Sequence, residues 1–579
     1  MLPALPGALE ALAACAEIRG EGGTAGEFRR FAAHLGSLPE REGVDLVRQL
    51  AKDGSSPAGL ATSVCEAVRD IARHGSAAVM QAAVAKLPRD LGRLLAVPSV
   101  SLTETLDLHR RFGAVTAADL AAVATLAGLE DSDRQMLALH HRLLELLPSL
   151  REGHPRIPLG RAYSIAEQVT STLRGALPAD TEVFTVGSLR RYESTVGDIE
   201  VLIGAGAPEP AIDVAVRALE PKDIAHRSGR VASVVLADEQ VTLRAVTPAE
   251  APFALVHYSG SGHHVRGLQR RASERGWSLS PSGFLVKGGP RPPVVADEAG
   301  LYAALDLQFV APELRHGDDE IARAASHSLP ALVEVGDIRG DLHVHTLWSD
   351  GRDSVETVAY AARSLGYEYV GITDHSPSCA ASRVLTEERL LRQREDVERM
   401  RARLPGLTIL HGVEVDILPD GSLDFPDRIL EGLDIVLASL HDSAGQSPDR
   451  LLHRYLSAMR HPLVHVVTHP ANRLVGRHAG YPLDYDTLFA VAVETGTVLE
   501  IDGAPAHLDL DGHMARRAAA AGVMLSVDSD CHNAARLGRQ MVFGVGTARR
   551  GGLEARHVLN TRPVSEVLGF FARKRGGPA

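Results

Sequence analysis

The sequence predicts a multidomain protein with an α-helical N-terminal region, an α+β middle region and a C-terminal (β/α) barrel. Its 579 residues exceed the size of one ordinary domain. The spacing of apolar residues changes along the chain, from helical spacing to mixed helix and strand and then to a regular alternation of the two. Hydrophobic residues make up 45% and charged residues 23% of the chain, which is ordinary for a soluble globular protein.

The first region, 1–150, is predicted to be helical because its apolar residues recur at three- and four-residue spacing. Leu120, Val123 and Leu126 show this spacing, and so do the apolar residues from 136 to 147. Glycine and proline mark turns between the helices, as in Gly54–Pro57.

The second region, 151–310, mixes helix and strand. A helix is predicted over Ser164–Arg174, and the last two strands flank a turn at Asp238 and Glu239. The predicted strands are Val183–Val186, Ile199–Ile203, Val231–Leu236 and Val241–Val246. Residues 311–340 are predicted to be a connector with a charged stretch at Gly317–Glu320.

The third region, 341–575, alternates short apolar strands with helical stretches, which is typical of a parallel sheet. Seven such strands predict a closed barrel, one strand short of the usual eight. The predicted strands are Leu342–Val344, Tyr369–Ile372, Thr408–Val413, Ile435–Ala438, Leu463–Val467, Val498–Ile501 and Val523–Val527.

Histidines and carboxylates follow nearly every barrel strand at its C-terminal end, where the active sites of barrel enzymes lie. His343 and His345 are two apart on the first strand, so both imidazoles can face one ion. The nine candidate metal ligands are His343, His345, Asp350, His375, Glu414, His441, His469, Asp530 and His532. A lone strand histidine is more often structural than a ligand, but six histidines and three carboxylates at strand ends favour a metal site.

These ligand types suit Zn²⁺, Mn²⁺ or Fe²⁺, and nine are enough for two or three ions. Such a cluster lowers the pKa of water and stabilises the attacking and leaving oxygens at phosphorus, so we expect a metal-dependent phosphoesterase. Asp374 and Cys531 adjoin ligands and more often orient neighbours than bind metal. Arg473 and Arg477 follow a ligand loop and could hold substrate phosphate, although they could equally be solvated surface charges.

Six short motifs in this region resemble those of the PHP (polymerase and histidinol phosphatase) domain. They are Asp341–Thr346, Thr373–Ser376, Gly412–Glu414, Ser439–His441, Thr468–Pro470 and Ser529–His532. The resemblance covers Asp341 to about Ala572 and implies a distorted seven-stranded barrel with three ions. It implies one ion on His343, His345, Glu414 and Asp530, a second bridged by Glu414 to His441 and His469, and a third on Asp350, His375 and His532.

The segment Val186–Glu200 resembles the nucleotidyltransferase signature of family X DNA polymerases. In that family a Gly-Ser turn at a helix start approaches nucleotide phosphates, and two carboxylates two residues apart bind Mg²⁺. The resemblance implies that Asp198 and Glu200 are the catalytic carboxylates. It implies nucleotide contacts at Gly187, Ser188, Arg190, Gly260 and Ser261, the last two from the run His257–Ser261. Together with Ile338–His343, it points to bacterial family X polymerases with a C-terminal PHP domain.

Two departures from the family pattern lie in this signature. Thr242 stands in Val241–Arg244 where the family has its third catalytic carboxylate, and a neutral side chain cannot bind metal in its place. Glu200 stands where the family has aspartate, which moves the charge by one methylene. We therefore expect DNA synthesis to be lost or severely weakened, with Mg²⁺ binding in doubt and the region serving as a scaffold or DNA-positioning module.

The family places helix-hairpin-helix motifs, whose glycine-rich turns contact DNA phosphates, in the N-terminal region. The corresponding turns here, Leu95–Ser101 and Leu126–Asp133, lack paired glycines, and Pro57–Ala61 keeps one. Weak DNA contact and a plain helical packing module are both open.

The leading hypothesis is a repair-type hydrolase of DNA phosphodiesters or 3′-terminal phosphates. The resemblance implies Mn²⁺-dependent 3′→5′ exonuclease activity on 3′ ends, gaps or abasic sites. One alternative is an active gap-filling polymerase with an editing barrel. Another is a small-molecule phosphatase of the histidinol-phosphatase kind, or a non-catalytic DNA-binding scaffold. We expect DNA and nucleotides as partners, no membrane, and a monomer.

The formal net charge of −12 argues against a generally basic nucleic-acid surface, but metal ions and local arginines can supply a positive field. The four cysteines, Cys15, Cys65, Cys379 and Cys531, form no CxxC pair and fit a reducing compartment. There is no signal-peptide pattern and no apolar run long enough to cross a bilayer, so we expect a cytoplasmic protein.

Overall fold

The computed structural model describes residues 5–52, 60–97, 100–116, 119–120, 156–286, 290–379, 381, 383–442 and 445–576. The chain forms two compact units. The first comprises Met1–Arg156, Tyr163–Gly187 and Gly197–Asp306, and the second comprises Ile157–Ala162, Ser188–Val196 and Leu307–Ala579. The bounds of the four segments stated above (1–150, 151–310, 311–340 and 341–575) stay a prediction. No helix within the described ranges has the length and apolar character that a membrane crossing requires.

The N-terminal part of the first unit is helical, as predicted. Its described helices are Leu5–Ile18, Gly22–Ser37, Glu40–Leu50, Thr62–His74, Ser76–Ala85, Arg89–Ala96 and Leu102–Phe112. The last of these shows how the sequence sets an element: Ser101 and Glu104 form a capping box at its start, and Gly113 with φ 64° ends it. The apolar pattern from 123 to 147 and the turns at 54–57 and 126–133 lie outside the described residues.

A five-stranded sheet forms the rest of the first unit's frame. With strands numbered along the whole chain, it has the order β2-β4-β7-β6-β5, in which β4 and β7 are parallel. The strands are β2 (Glu182–Thr185), β4 (Ile199–Gly204), β5 (Asp223–Arg227), β6 (Val231–Leu236) and β7 (Glu239–Val246). Glu200 on β4 pairs in register with Thr242 on β7.

Other described elements of the middle region are the hairpin β8 (Trp277–Ser280) with β9 (Gly283–Val286) and the short antiparallel pair β1 (Ile157–Pro158) with β3 (Thr195–Val196). The helices are Leu159–Ala176, Gly187–Arg190, Pro208–Leu219, Ala251–Ser259, Gly262–Glu274 and Glu298–Ala304.

Three predictions for the middle region differ from the structure. The helix predicted from Ser164 already begins at Leu159. The predicted turn at Asp238 and Glu239 lies one residue earlier, because Ala237 and Asp238 take positive φ of 49° and 63° and Glu239 opens β7. Strand β5 was missed because its sequence carries charged residues at both ends, which hides the alternation expected of a half-buried strand.

The second unit is a seven-stranded parallel barrel in sequential order, which confirms the predicted fold class. Its strands are β10 (Gly340–Val344), β11 (Tyr369–Ile372), β12 (Thr408–Asp416), β13 (Ile435–Ser439), β14 (Val466–Val467), β15 (Val498–Asp502) and β16 (Leu525–Asp528). The first and last strands meet where Val344 bridges to Cys531, and the His345 amide donates to the Cys531 carbonyl at 3.0 Å. Strands β14 and β16 begin later than predicted.

Helices lie before, between and after the barrel strands. They are Glu320–Ala325, Val355–Ser364, Glu387–Arg403, Asp427–Leu430, Pro448–Arg460, Tyr485–Thr495, Gly512–Ala520, Leu537–Arg550 and Val564–Lys574. Short 3-10 turns are Pro312–Leu314, Val335–Asp337, Ala534–Arg536, Ala555–His557 and Leu559–Thr561.

The barrel interior is apolar near the amino-terminal ends of its strands. Leu342, Tyr369 and Val466 form a buried cluster there with Val567 and Phe571 of the last helix. Apolar packing thus fills one end of the barrel, which leaves the carboxyl ends of the strands as the place where polar side chains gather.

Candidate metal centre

All nine predicted ligands lie at the carboxyl ends of the barrel strands, and their imidazoles and carboxylates face one another. They form three neighbouring groups, two of which share His345, and within each group the ligand atoms lie within 4.8 Å of one another. The groups are His343, His345 and Asp530; Glu414, His441 and His469; and His345, Asp350, His375 and His532. The sequence motifs therefore converge on one mouth of the barrel.

Glu414 lies at the centre of the three groups, within strand β12. Its Oε1 is 3.0 Å from His469 Nε2 and 3.6 Å from His441 Nε2. Its Oε2 is 3.5 Å from His343 Nε2 and 2.7 Å from His375 Nδ1. One carboxylate thus presents its two oxygens to different groups, which is the arrangement of a bridging ligand.

The first and third groups are equally compact. His343 Nε2 and His345 Nε2 are 3.0 Å apart, and His345 Nε2 is 3.1 Å from Asp530 Oδ1. Asp350 Oδ1 lies 3.2 Å from His532 Nε2 and 3.6 Å from His375 Nε2. These separations suit donor atoms that share an ion between them.

The donor set fits divalent ions on a further observation. Glu414 Oε2 and His375 Nδ1 are both buried, and neither makes a hydrogen bond although they lie 2.7 Å apart. A carboxylate oxygen and a ring nitrogen that approach this closely without the geometry of a hydrogen bond are stabilised when an ion binds beside both, so this pair fits a cation site.

Two carboxylates that the sequence analysis did not single out contact the Nδ1 atoms of candidate ligand histidines. Glu500 Oε1 lies 2.7 Å from His343 Nδ1, and Asp416 Oδ1 lies 3.0 Å from His441 Nδ1. A carboxylate that accepts the Nδ1–H proton leaves the Nε2 lone pair free to face the mouth of the barrel. Glu500 also accepts a hydrogen bond from the His469 amide at 2.8 Å.

The sequence contained a signal for Glu500. Glu500 and Asp502 are two apart on β15, the one barrel strand for which no ligand was proposed, and the same spacing identified His343 and His345. Asp374 orients neighbours, as expected, because it accepts hydrogen bonds from the amides of Thr346 at 2.7 Å and Ser349 at 3.0 Å.

Backbone strain occurs at two of the nine candidate ligands. His469 and Asp530 adopt positive φ of 28° and 46°, a region that non-glycine residues rarely enter. Gly351, next to Asp350, allows a close approach, since a Cβ there would lie 2.6 Å from the backbone of His345. Such strain persists where surrounding contacts hold a functional geometry.

The charge state of Glu414 follows from its neighbours. Burial raises the pKa of this carboxyl, but the imidazoles of His375, His441 and His343 outweigh burial and hold the pKa well below its usual value. Glu414 is therefore ionised at the centre of the site and available to a cation.

The histidines of the third group differ in charge. Burial and the neighbouring His375 and His532 lower the pKa of His345 to about 3. Burial also lowers the pKa of His532, but its hydrogen bond to Asp350 and the charge of Asp530 raise it to about 9. Ion binding at His532 must therefore displace a proton, whereas His345 is already neutral.

Arg473 and Arg477 were proposed as phosphate ligands. The guanidinium of Arg473 donates to Asp511 at 3.1 Å and to Ser194 at 3.0 Å, and its side chain is 14% exposed. It would have to release these partners to hold phosphate. Arg477 is exposed in the same loop.

The polymerase-like carboxylates lie in the first unit, where the guanidinium of Arg244 forms an ion pair with Glu200. Arg244 Nη2 donates to Glu200 Oε1 at 3.2 Å and to Asp119 Oδ2 at 3.0 Å, and all three residues are buried. Thr242, in register with Glu200, shares a hydrogen bond with Ser233 at 3.1 Å. A guanidinium thus neutralises the charge that a metal ion would require.

Asp198 precedes β4, and its Oδ1 is buried without a hydrogen bond. Burial, then the charges of Asp90 and Glu200, raise the pKa of Asp198 well above its usual value. This carboxyl is therefore inclined to keep its proton, which weakens it as a metal ligand.

The predicted nucleotide contacts lie in turns and caps. Gly187 has φ 74° and begins the short helix Gly187–Arg190, which contains Ser188. Gly260 ends one helix, and Ser261 caps the next, its hydroxyl accepting from the His264 amide at 3.1 Å. Ser261 therefore has a structural role that the sequence motif did not reveal.

Comparisons with known proteins find related families for both the polymerase-like region and the barrel. Residues 254–316 match the DNA polymerase beta thumb family, and residues 341–491 match the PHP domain family. The chain is 31% identical to the DNA polymerase/3'-5' exonuclease PolX of Bacillus subtilis over 575 residues, covering 98% of each chain. Over 250 residues it is 31% identical to a probable phosphatase of Thermoanaerobacter, covering 41% of this chain and 97% of that protein. The chain therefore belongs to the bacterial family X DNA polymerases that carry a C-terminal PHP domain.

Proposed function

We propose that this protein is a metal-dependent phosphoesterase whose barrel removes nucleotides or terminal phosphates from the 3′ ends of DNA. The observation that carries the proposal is the convergence of eight imidazoles and carboxylates around a ninth, Glu414, at one mouth of the barrel. The Bacillus relative, named for 3'-5' exonuclease activity, is similar along the whole chain and supports this substrate class.

The residues would hold ions in three places. The first place is offered by His343, His345, Asp530 and Glu414, the second by Glu414, His441 and His469, and the third by Asp350, His375 and His532. We propose manganese, which nitrogen and carboxylate ligands accommodate along with zinc and iron. When bound, such ions polarise a phosphate ester and lower the pKa of water at the site.

The chain's own side chains set where substrate enters. His343 and Glu414 are fully buried, whereas the side chains of His441, Asp350 and His532 are 25%, 27% and 36% exposed. The centre is thus open on the side of these three residues, and a phosphate must approach from there. Glu500 and Asp416 hold the imidazoles behind it in a fixed orientation.

We propose that the polymerase-like region is weak or inactive in synthesis. Binding of Mg²⁺ would have to displace Arg244 from Glu200, and Thr242 offers no charge in compensation. The region would then serve as a scaffold or position DNA through sequence-independent contacts. A monomer in the cytoplasm stays our prediction.

The test is digestion of DNA labelled at the 3′ or the 5′ end, single- and double-stranded, by protein reconstituted with Mn²⁺. We expect a ladder of products shortened from the 3′ end. His343→Ala should abolish digestion, while far-ultraviolet circular dichroism shows that the protein is folded. Full digestion by that variant would refute the assignment.

Primer extension with Mn²⁺ and four deoxynucleotides tests the alternative of an active gap-filling polymerase. We expect no extension. Extension by the wild-type protein that disappears in Asp198→Ala would instead establish synthesis in the first unit.

A second candidate is a small-molecule phosphatase. It is favoured by the Thermoanaerobacter relative named a probable phosphatase, 97% of whose length is matched by this chain. Hydrolysis of a generic phosphomonoester at a rate far above that of DNA would favour this candidate over the nuclease.

A further inference from the structure

We propose that Cys379 is a thiolate ligand of the barrel's metal centre and gives that centre a preference for soft divalent ions such as Zn²⁺ and Co²⁺. The proposal rests on the metal-dependent function proposed above. It adds a sulfur donor to a centre that the sequence motifs describe as purely nitrogen and oxygen.

The geometry that supports this role is a compact group of three side chains. The sulfur of Cys379 and the ring nitrogens of His375 and His441 lie within 4.8 Å of one another. His375 also faces Asp350, and both imidazoles face Glu414. The thiol therefore stands where the second and third groups of the centre meet.

Hydrogen bonds hold the loop that carries Cys379 in place. The Cys379 amide donates to the Ser376 carbonyl at 3.3 Å. Ser378 donates from its amide and from its hydroxyl to the carboxylate of Asp424, both at 2.6 Å. Leu385 donates its amide to the His375 carbonyl at 2.8 Å. The thiol is thus presented to the imidazoles by an anchored segment.

The imidazoles are themselves oriented. Asp416 lies 3.0 Å from His441 Nδ1, so the Nε2 of that ring faces the centre. Asp350 lies 3.6 Å from His375 Nε2, and Glu414 lies 2.7 Å from its Nδ1. Two fixed imidazoles and a thiol, with Glu414 beside them, make up the cysteine and histidine set that zinc sites use.

Cys531 offers a contrast within the same barrel. Its thiol donates to the Asn533 carbonyl at 2.8 Å, its side chain is buried, and it belongs to none of the groups of possible ligands among the described residues. Cys531 thus behaves as a small buried side chain. Cys379, which is half-buried on the open side, faces ring nitrogens.

The consequence is one of selectivity. Sulfur binds Zn²⁺ and Co²⁺ in preference to Mn²⁺, whose usual donors are carboxylate, carbonyl and water oxygens. With Cys379 the centre offers a soft donor at one place and nitrogen or oxygen donors at the others. We expect the thiolate to widen the margin by which the place next to it binds Zn²⁺ more tightly than Mn²⁺, beyond the margin that nitrogen and oxygen donors alone give.

Titration of Co²⁺ into the metal-free full-length protein tests the proposal without any assay of activity. Thiolate coordination should give a sulfur-to-cobalt charge-transfer band in the near ultraviolet. The band should be lost in Cys379→Ser and in Cys379→Ala. It should persist in Cys531→Ala, the matched control. Circular dichroism establishes that each variant is folded.

Competition between ions gives a second readout. Cys379→Ser should weaken Zn²⁺ binding by at least about tenfold while leaving Mn²⁺ binding within about threefold. Bound Co²⁺ without the charge-transfer band, or a band that survives in both Cys379 variants, would overturn the role of Cys379 alone. Failure of the protein to bind Co²⁺, Zn²⁺ or Mn²⁺ would overturn this proposal together with the proposed metal centre.

Discussion

At the scale of single residues, the centre depends on side chains that bind no ion themselves. Asp416 contacts His441, and Glu500 contacts both His343 and the backbone of His469. These carboxylates fix which ring nitrogen faces the mouth, so a bound ion meets imidazoles that are already oriented. The free energy of ordering those rings is spent during folding and not during binding.

Asp416→Ala should therefore weaken metal binding without removing a ligand. Loss of the acceptor at His441 Nδ1 frees the ring to rotate, and we expect the affinity of the centre for Mn²⁺ to fall about 10- to 100-fold. Isothermal titration calorimetry with Mn²⁺ measures the change. Asp420→Ala, an exposed carboxylate a few residues along, is the control and should bind as the wild type does. Equal affinity in both variants would contradict the orienting role.

Candidate site residues that belong to a local sequence pattern were predictable. Contacts between residues that are distant in sequence were not. The candidate ligand histidines were predictable because each lies on an apolar strand or just after one, a pattern visible in a few consecutive residues. Arg244 and Asp119 are 125 residues apart, and the local sequence around neither residue predicts their contact. The contact of Asp424 with Ser378, next to Cys379, could not be predicted from local sequence either. Asp424 lies in the segment after β12, and its carboxylate accepts a hydrogen bond from the Ser378 amide.

At the scale of elements, the parallel barrel strands were recognised because they are buried on both faces and are therefore continuously apolar. Their ends were harder to place. Strand β14 has only two residues, because the segment before it turns through the hydrogen bond from the Val464 amide to the His461 carbonyl. Strand β12 extends to Asp416, so Glu414 projects from the strand itself and not from the loop beyond it.

The β4–β7 pair supports a prediction about stability. Arg244→Met would leave Asp119 and Glu200 buried without a counter-charge, which typically costs about 3–5 kcal/mol. Unfolding of the full-length protein by denaturant, followed by circular dichroism, should show a transition at lower denaturant concentration. Adding Asp119→Asn and Glu200→Gln to the same variant removes the unpaired charges and should recover most of the loss. A single variant as stable as the wild type would show that the ion pairs contribute little.

Strand β12 also predicts a dependence on pH through His411. Burial, then the charge of Arg394, lowers the pKa of His411 to about 4 from its usual value of 6.5. Its Nδ1 accepts from Arg394 at 3.3 Å, so the folded protein holds the ring neutral. Between pH 6.5 and 4 the unfolded chain binds a proton that the folded one does not, and stability falls as the pH falls.

At pH 4 this difference in proton binding lowers the free energy of unfolding by up to about 3 kcal/mol. Above pH 7 it lowers the free energy of unfolding by nothing, because His411 is neutral in both states. His411→Asn should therefore flatten the loss of unfolding free energy between pH 6.5 and 4, measured by urea denaturation at each pH. His513→Asn, at an exposed position, is the control and should keep the wild-type slope. A slope unchanged by His411→Asn would assign the acid sensitivity to other groups.

At the scale of the whole molecule, ionisable side chains are used in two ways. In the second unit, imidazoles and carboxylates converge around Glu414, whose carboxylate is ionised and faces ring nitrogens that can bind an ion. In the first unit, the carboxylates of Glu200 and Asp119 share a guanidinium, and that of Asp198 tends to keep its proton. Hydrolysis and synthesis should accordingly separate, with chemistry confined to the barrel.

Asp198→Ala tests this separation in the full-length protein. Because Asp198 belongs to a site whose charge is already neutralised, we expect Mn²⁺-dependent digestion of 3′-labelled DNA to stay within about twofold of the wild-type rate. Primer extension should be undetectable in both proteins. His343→Ala, measured beside it, should lose digestion entirely. If Asp198→Ala slowed digestion as much as His343→Ala does, the carboxylates of the first unit would have to take part in hydrolysis, and the confinement of chemistry to the barrel would be wrong.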